Sequence, residues 1–214
     1  MVEWDLSKPN VEVFRADLAQ VTDTSINYAG TPIKLKSSKY EQAILVHNAA
    51  VLGNMSHKVS QFGNHLDIVQ ESLNINLLSL LAVNTAFFDV FKGIQKKRIV
   101  NMTAPSASNA NPSFGYTSIA KSAKQIALNI LAKEESGVKV LHFDPVCVDT
   151  EALREVRDHS HDESIRTKFH GLYDQNVLLT GEQVATALVN ILSEDKYESG
   201  AVIKATEALH SNHH

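Results

Sequence analysis

No glycine precedes Asp17, and the chain carries one cysteine, Cys147. A lone thiol excludes an internal disulfide. Positive charge is also scarce. The net charge is −4 with a pI near 6.2, and the longest basic cluster, Lys96-Lys97-Arg98, is too short to attract a phosphate backbone. A nucleic-acid partner is therefore not expected. Uninterrupted apolar runs stop well short of the ~20 residues of a membrane span. The opening MVEWDLSKPN is acidic and polar, unlike a signal peptide, so the expectation is a cytoplasmic protein with no membrane partner. Repeats and low-complexity tracts are absent. His159-Ser160-His161 and the tail residues His210, His213 and His214 lack the spacing of a full zinc ligand set, so no metal is expected.

What is present is an ordinary globular composition: 214 residues, 43% hydrophobic and 21% charged, enough for one domain over 1–214 with 205–214 as a disordered tail. Val11 to Phe14 alternates apolar and polar as a strand does and ends near Asp17. Ala43 to Val46 is a continuous apolar run that predicts a strand buried on both faces. Leu66 to Phe91 carries apolar residues at helical intervals and predicts a long, largely buried helix. Arg98 to Met102 follows as a strand, Tyr116 to Lys133 as a helix, and Val138 to Phe143 as a buried strand. Thr180 and Gln183 form a capping box before a helix through Leu192, and Ala201 to Ile203 is a last strand. The charged stretch Arg154 to Phe169 reads as either a mobile loop or short helices over the sheet's carboxyl edge. The alternation of strands and helices gives the class α/β with a mainly parallel sheet.

Arg98 to Lys121 has the shape of an active-site segment. A strand leads into the hydroxyls of Thr103 and Ser106, and a tyrosine and a lysine then open a helix. Residues four apart on a helix lie about 40° apart around its axis, but Tyr116 and Lys121 are five apart, at roughly 140°. By spacing Lys121 pairs with Thr117. Cys147 reads as a small buried hydrophobe, since no base sits beside it.

Five pieces then stand in order: Asp17-Leu18 after one strand, Asn48-Ala49-Ala50 after the next, Asn76 on the long helix, the Thr103 to Lys121 segment, and Asp144-Pro145 through Asp149-Thr150. This order resembles the short-chain dehydrogenase/reductase family, and within it the sepiapterin reductases. The similarity runs from about Val11 to Ile203. The resemblance implies a Rossmann-like, doubly wound fold and NADP (NADPH) as cofactor. It also implies a small-molecule carbonyl substrate, either a pterin side chain, as in tetrahydrobiopterin synthesis, or a diketone. A homodimer would form through the two long helices. It implies Tyr116 as proton donor, Lys121 as the cation that lowers its pKa, Thr103 as holder of the carbonyl, and Asn76 as organiser of the lysine, with Asn74 a weaker match. It places Asp17 and Leu18 at the adenine, and Asn48, Ala49, Ala50, Pro145 and Thr150 along the cofactor.

The chain departs from the family pattern in definite places. The family's glycine-rich TGxxxGxG turn is missing, and with it the main phosphate cradle and about two βα units, so the fold reads as N-terminally shortened. In one register Lys121 keeps its place, leaving Thr117 for the tyrosine and Ala104 for the serine. In the other, Tyr116 and Thr103 keep theirs. Val146 stands where the family has glycine, and Lys204 where sepiapterin reductases have an acidic residue. A non-catalytic relative acting as a binding or dimerisation module is the alternative reading.

Overall fold

The computed structural model describes residues 17–19 and 40–210. The sequence-predicted strand at Val11 to Phe14 lies outside them. Among the described residues four strands, β1 (Gln42–His47), β2 (Lys96–Met102), β3 (Val138–Asp144) and β4 (Ala201–Lys204), form one sheet in the order β1-β2-β3-β4, each paired in parallel with its neighbours. Parallel neighbours need crossovers, and helices supply them: α1 (Leu66–Leu73) and α2 (Ser79–Val90) after β1, and α3 (Gly115–Glu134) after β2. After β3 come α4 (Glu151–His159), α5 (Glu163–Asp174) and α6 (Gly181–Glu194). The sheet is Rossmann-like, as the alternation predicts.

Successive residues of the central strands face opposite layers. Ile99 and Val140 pack with Leu80, Phe87 and Leu128 of α2 and α3. Val100, Leu141 and Phe143 pack with Val184, Ala187 and Ile191 of α6. A third cluster, Met55, Val156, Ile165 and Phe169, seats α4 and α5 on the loop after β1. The charged stretch 154–169 therefore forms helices rather than a loop. Thr180 caps α6 as its sequence pattern requires: its hydroxyl accepts from Gln183 N at 3.2 Å while its own N donates to Gln183 Oε1 at 2.8 Å.

Three expectations need correction. β1 is not buried on both faces, because Ile44 and Val46 are 42% and 44% exposed. α6 covers the β2 to β4 end of that face, and no described element continues the layer to β1. The long helix is not largely buried either. One stripe, Ser72, Asn76, Ser79, Leu80, Asn84 and Phe87, faces inward, while Leu66, Leu78 and Leu81 are exposed. Residues 66–90 are long and apolar enough to cross a membrane by length and composition. Yet the polar members of the inward stripe, Asn76, Ser79 and Asn84, make hydrogen bonds within the protein beside the core residues Leu80 and Phe87, as in a core helix. Finally, 205–210 is no disordered tail but a short helix, α7 (Ala205–His210), anchored by fully buried Ala205 against the α6 core.

Candidate functional site

All four strands end at the same edge, so the segments after β1, β2 and β3 converge there, where open parallel sheets bind ligands. The loop after β1 is pinned by Asn76. Its Oδ1 accepts from Val51 N at 2.9 Å, and its Nδ2 donates to Val51 O at 2.9 Å and to Ser72 Oγ at 3.1 Å. Asn76 reaches this position from a single π turn, Asn74–Leu78, between α1 and α2, a type of helix irregularity common at functional sites. Neighbouring Asn74 donates to Ala19 O at 3.0 Å and so holds the Asp17–Ala19 turn, in which Asp17 Oδ1 accepts from Ala19 N. Asn48, Ala49 and Ala50 are exposed on the pinned loop.

Under this loop lies a cation that the sequence reading passed over. Lys124 is 3% exposed, and its Nζ donates to Ala49 O at 3.4 Å. Burial, reinforced by the neighbouring Lys121 charge, lowers its pKa to about 8. Its position three residues after Lys121 on α3 was the available signal, since both then share one helix face. The unfolded lysine binds its proton more tightly than the folded one, so stability rises with pH between about 8 and the ordinary lysine value, and the penalty is complete below pH 8. Lys124→Met should accordingly raise stability at pH 7 by about 1–3 kcal/mol, read as a higher urea midpoint, with the gain disappearing above pH 10.

Lys121 donates to Met102 O at 3.2 Å, at the end of β2. Burial lowers its pKa, opposed by the charge of Asp144 at the end of β3. Next to Met102, Thr103 donates its backbone N to Phe143 O at 2.8 Å, and its buried Oγ1 has no partner among the described residues. Asp144 Oδ1 accepts from Val146 N at 2.9 Å, in a turn that forces Val146 to φ +63°, a region that favours glycine and strains a β-branched residue. Pro145 is half-buried in this turn. Thr150 caps α4, its hydroxyl accepting from Leu153 N at 3.3 Å. Cys147 is half-buried, and burial raises its thiol pKa.

Tyr116 goes elsewhere. Its ring stacks on Phe62 with centroids 3.9 Å apart, and its hydroxyl is 3.0 Å from His57 Nδ1. Gly53 lets the loop pass over it: a Cβ there would sit 2.5 Å from Tyr116 Cγ. Burial and the Asp67 carboxylate raise the tyrosine pKa. Thr117, which the spacing pairs with Lys121, donates its hydroxyl to Phe114 O at 3.2 Å. The structure thus gathers Lys121, Thr103 and Asp144 at the sheet edge and Asn76 with the Asn48–Ala50 loop, but gives Tyr116 and Lys121 separate partners. His57, 59 residues away from Tyr116, carries no sequence signal that would have singled it out.

A cleft of about 730 Å³ opens beside this loop, lined by Ala50 to Asn54, Ser72, Glu151 and Glu155 among others. Tyr116 lies behind its Gly53 wall. As a test of fit for a nicotinamide dinucleotide, the sheet edge offers a cation and an unpartnered hydroxyl suited to a ribose and a carbonyl. The cleft offers carboxylates, which do not suit a pyrophosphate, and no glycine-rich cradle appears among the described residues.

Residues 33–206 match the family profile described as Enoyl-(Acyl carrier protein) reductase. Sepiapterin reductase of Meriones unguiculatus is 25% identical over 203 residues, covering 93% of this chain and 77% of that one. The Mus musculus sepiapterin reductase is 28% identical over 75% of this chain, which spans 62% of its length. A Bacillus cereus benzil reductase, (S)-benzoin forming, is 25% identical over 89% of this chain and 78% of its own. Among solved structures, the KRED1-Pglu enzyme superposes with a TM-score of 0.74 at 17% identity, over 88% of this chain and 77% of that one. ElxO with NADP bound gives 0.63 at 18% identity, over 90% and 75%.

Proposed function

This chain belongs to the short-chain dehydrogenase/reductase family, and from that premise we propose that it is an NADPH-dependent carbonyl reductase of the cytosol. Its substrate would be a small ketone, either a pterin side chain or a diketone. The observation that carries the reading is the buried, unpartnered Thr103 hydroxyl beside Lys121 at the carboxyl edge. A buried hydroxyl without a partner costs stability, and a substrate carbonyl would satisfy it. Bound NADPH would supply the hydride. Lys121 would hold its ribose, with the Asn48–Ala50 loop and the Asp17-Leu18 turn along its length. Thr103 would donate to the substrate oxygen, and Tyr116 would supply the proton. A second copy would pack against α2 and α3, where Leu78 just before α2, Leu81 on it, and Ile119, Ile126 and Ile130 on α3 are exposed.

The acidic cleft lining and the separation of Tyr116 from Lys121 favour a second reading, a relative that has lost catalysis and serves as a binding or dimerisation module. NADPH titration with a parallel thermal-shift scan separates the two. At 100 times its dissociation constant a ligand stabilises by about 2.7 kcal/mol, a clear shift that the reductase reading expects. A folded protein indifferent to NADPH would leave only the module. Thr103→Val sharpens the test, because it should leave stability unchanged or raised by up to about 1 kcal/mol while carbonyl reduction falls at least ~10-fold. Unchanged turnover in that variant would remove Thr103 from the site.

A further inference from the structure

We propose that the cleft beside the loop after β1 takes a small organic cation with an apolar body, an arylalkylamine, and refuses the pyrophosphate of a dinucleotide. Such binding does not depend on whether the chain reduces a carbonyl. Neither Lys121 nor Thr103 lines the cleft, so the sheet edge stays open to the reductase reading.

Three segments build the cleft. Ala50 to Asn54 form its floor, α1 supplies Ile68, Glu71 and Ser72, and the first turns of α4 supply Glu151, Ala152, Glu155 and His159. Its volume of about 730 Å³ is that of a small-molecule site. Glu151 and Glu155 stand one helical turn apart and so share the face of α4 that meets the cleft. Glu71 adds a third carboxylate from another element.

No lysine or arginine is among the described residues that line this space. Glu71 and Glu151 have no ion-pair partner among the described residues. Glu155 has only His159, whose Nδ1 lies 3.1 Å from Glu155 Oε2 and carries charge only when protonated. Lys124 donates to Ala49 O from beneath the loop and does not line the cleft. Carboxylates of one sign in a concave site focus a negative potential there, which draws in a cation and repels a pyrophosphate. The charge is too widely spread for a metal: no three histidine, cysteine, aspartate or glutamate side chains among the described residues come close enough to hold one. Between the carboxylates the surface is apolar. Val51 is 36% exposed on the floor, with Leu52, Ile68 and Ala152 beside it, and a hydrocarbon or aromatic body would cover them. An ammonium group on such a body matches both the charge and the apolar surface.

The test is an NMR titration of the full 214-residue chain, ¹⁵N-labelled, with 2-phenylethylamine, with its neutral isostere 2-phenylethanol, and separately with NADPH. The amide signals of Val51, Leu52, Gly53 and Ala152 report the cleft. The amine should move them to saturation with a Kd at least ~10-fold below that of the alcohol. Raising NaCl from about 0.05 to about 0.5 M should weaken the amine several-fold and leave the alcohol unchanged. E151Q alone should cost the amine about 2–5-fold, and the triple variant E71Q/E151Q/E155Q should bring it to the alcohol's level. All three positions are exposed, and a thermal melt checks that the triple variant folds. Equal affinity for amine and alcohol overturns the cation site, as does amine binding that survives the triple variant. NADPH that displaces the amine from these signals also overturns it, and strengthens the reductase reading. NADPH binding that leaves the cleft signals in place keeps both the cation site and the reductase reading. A chain that binds the amine and is indifferent to NADPH keeps the cation site and removes the reductase reading.

Discussion

Acidification from pH 6.5 to 4 is expected to remove at most about 5 kcal/mol of stability, because two buried histidines must charge before or during unfolding. His142, fully buried on β3, lies 2.9 Å from Asn129 Oδ1 through Nε2 and 3.1 Å from Asn101 Nδ2 through Nδ1. An amide nitrogen only donates and an amide oxygen only accepts, so the pair selects the neutral tautomer with its proton on Nε2. His47, at the end of β1, meets Asn84 Oδ1 at 2.8 Å. Burial is the largest cause in both cases and lowers each pKa to about 4. Below the ordinary histidine value near 6.5 the unfolded chain binds protons that the folded chain refuses, so stability falls with pH across the whole window down to about 4. Each shift corresponds to about 3 kcal/mol, a large share of the 5–15 kcal/mol that usually holds a domain together. Asp144, its pKa raised by burial, works in the opposite sense and offsets part of the loss. The depressed carboxylates Asp158, Asp162 and Asp195 lose their contribution only below the ordinary aspartate value, outside this window. Urea midpoints at pH 7, 5.5 and 4.5, with the imidazole signals of His47 and His142 followed by NMR, decide the matter. Either ring titrating near 6.5 in the folded protein would refute it.

Those same histidines show where sequence reading stops. The strands were legible because a continuous apolar run such as Ile99-Val100 or Val140-Leu141 is what burial between two layers demands. The α6 capping box was legible because all of its atoms lie within four residues. Burial of Ile44 and Val46 was misjudged because it depends on which neighbour covers β1, a fact of tertiary structure and not of the run itself. The π turn that carries Asn76 to Val51 is fixed by a partner 25 residues earlier, and helical periodicity alone cannot place it. The candidate site divides the same way. Spacing alone separated Tyr116 from Lys121, and the two do take different partners in the structure. What Tyr116 meets instead, a histidine on the loop after β1, depends on the closure of that loop over α3, which leaves no local trace. Lys124 lay in plain view as a lysine on a mostly apolar face, but its depth could be known only once the Asn48–Ala50 loop was seen above it.

Removing one oxygen from Tyr116 should have the largest effect on activity. Tyr116→Phe keeps the ring that stacks on Phe62 and fills the space under Gly53, so the fold should lose only the hydrogen bond to His57, about 1 kcal/mol. If Tyr116 is the proton source, kcat for carbonyl reduction should fall by about 10²–10⁴-fold, the usual worth of a positioned general acid, while NADPH affinity stays as it was. The alternative register makes the opposite forecast. There Thr117 occupies the tyrosine's place opposite Lys121, and Thr117→Val would be the damaging change. Its hydroxyl is already donated to Phe114 O in the first turn of α3, and an aliphatic hydroxyl is far too weak an acid to protonate a carbonyl oxygen at neutral pH. Thr117→Val should therefore cost about 1 kcal/mol of stability and leave kcat within about threefold. Steady-state kinetics of the two variants side by side, with cofactor binding measured separately, distinguish the registers. A large loss in Thr117→Val with normal turnover in Tyr116→Phe would move the active site one residue along the helix. Equal, small losses in both would mean that the proton comes from neither, and that the helix start is a packing feature in which Tyr116 serves to anchor the loop through Phe62 and Gly53.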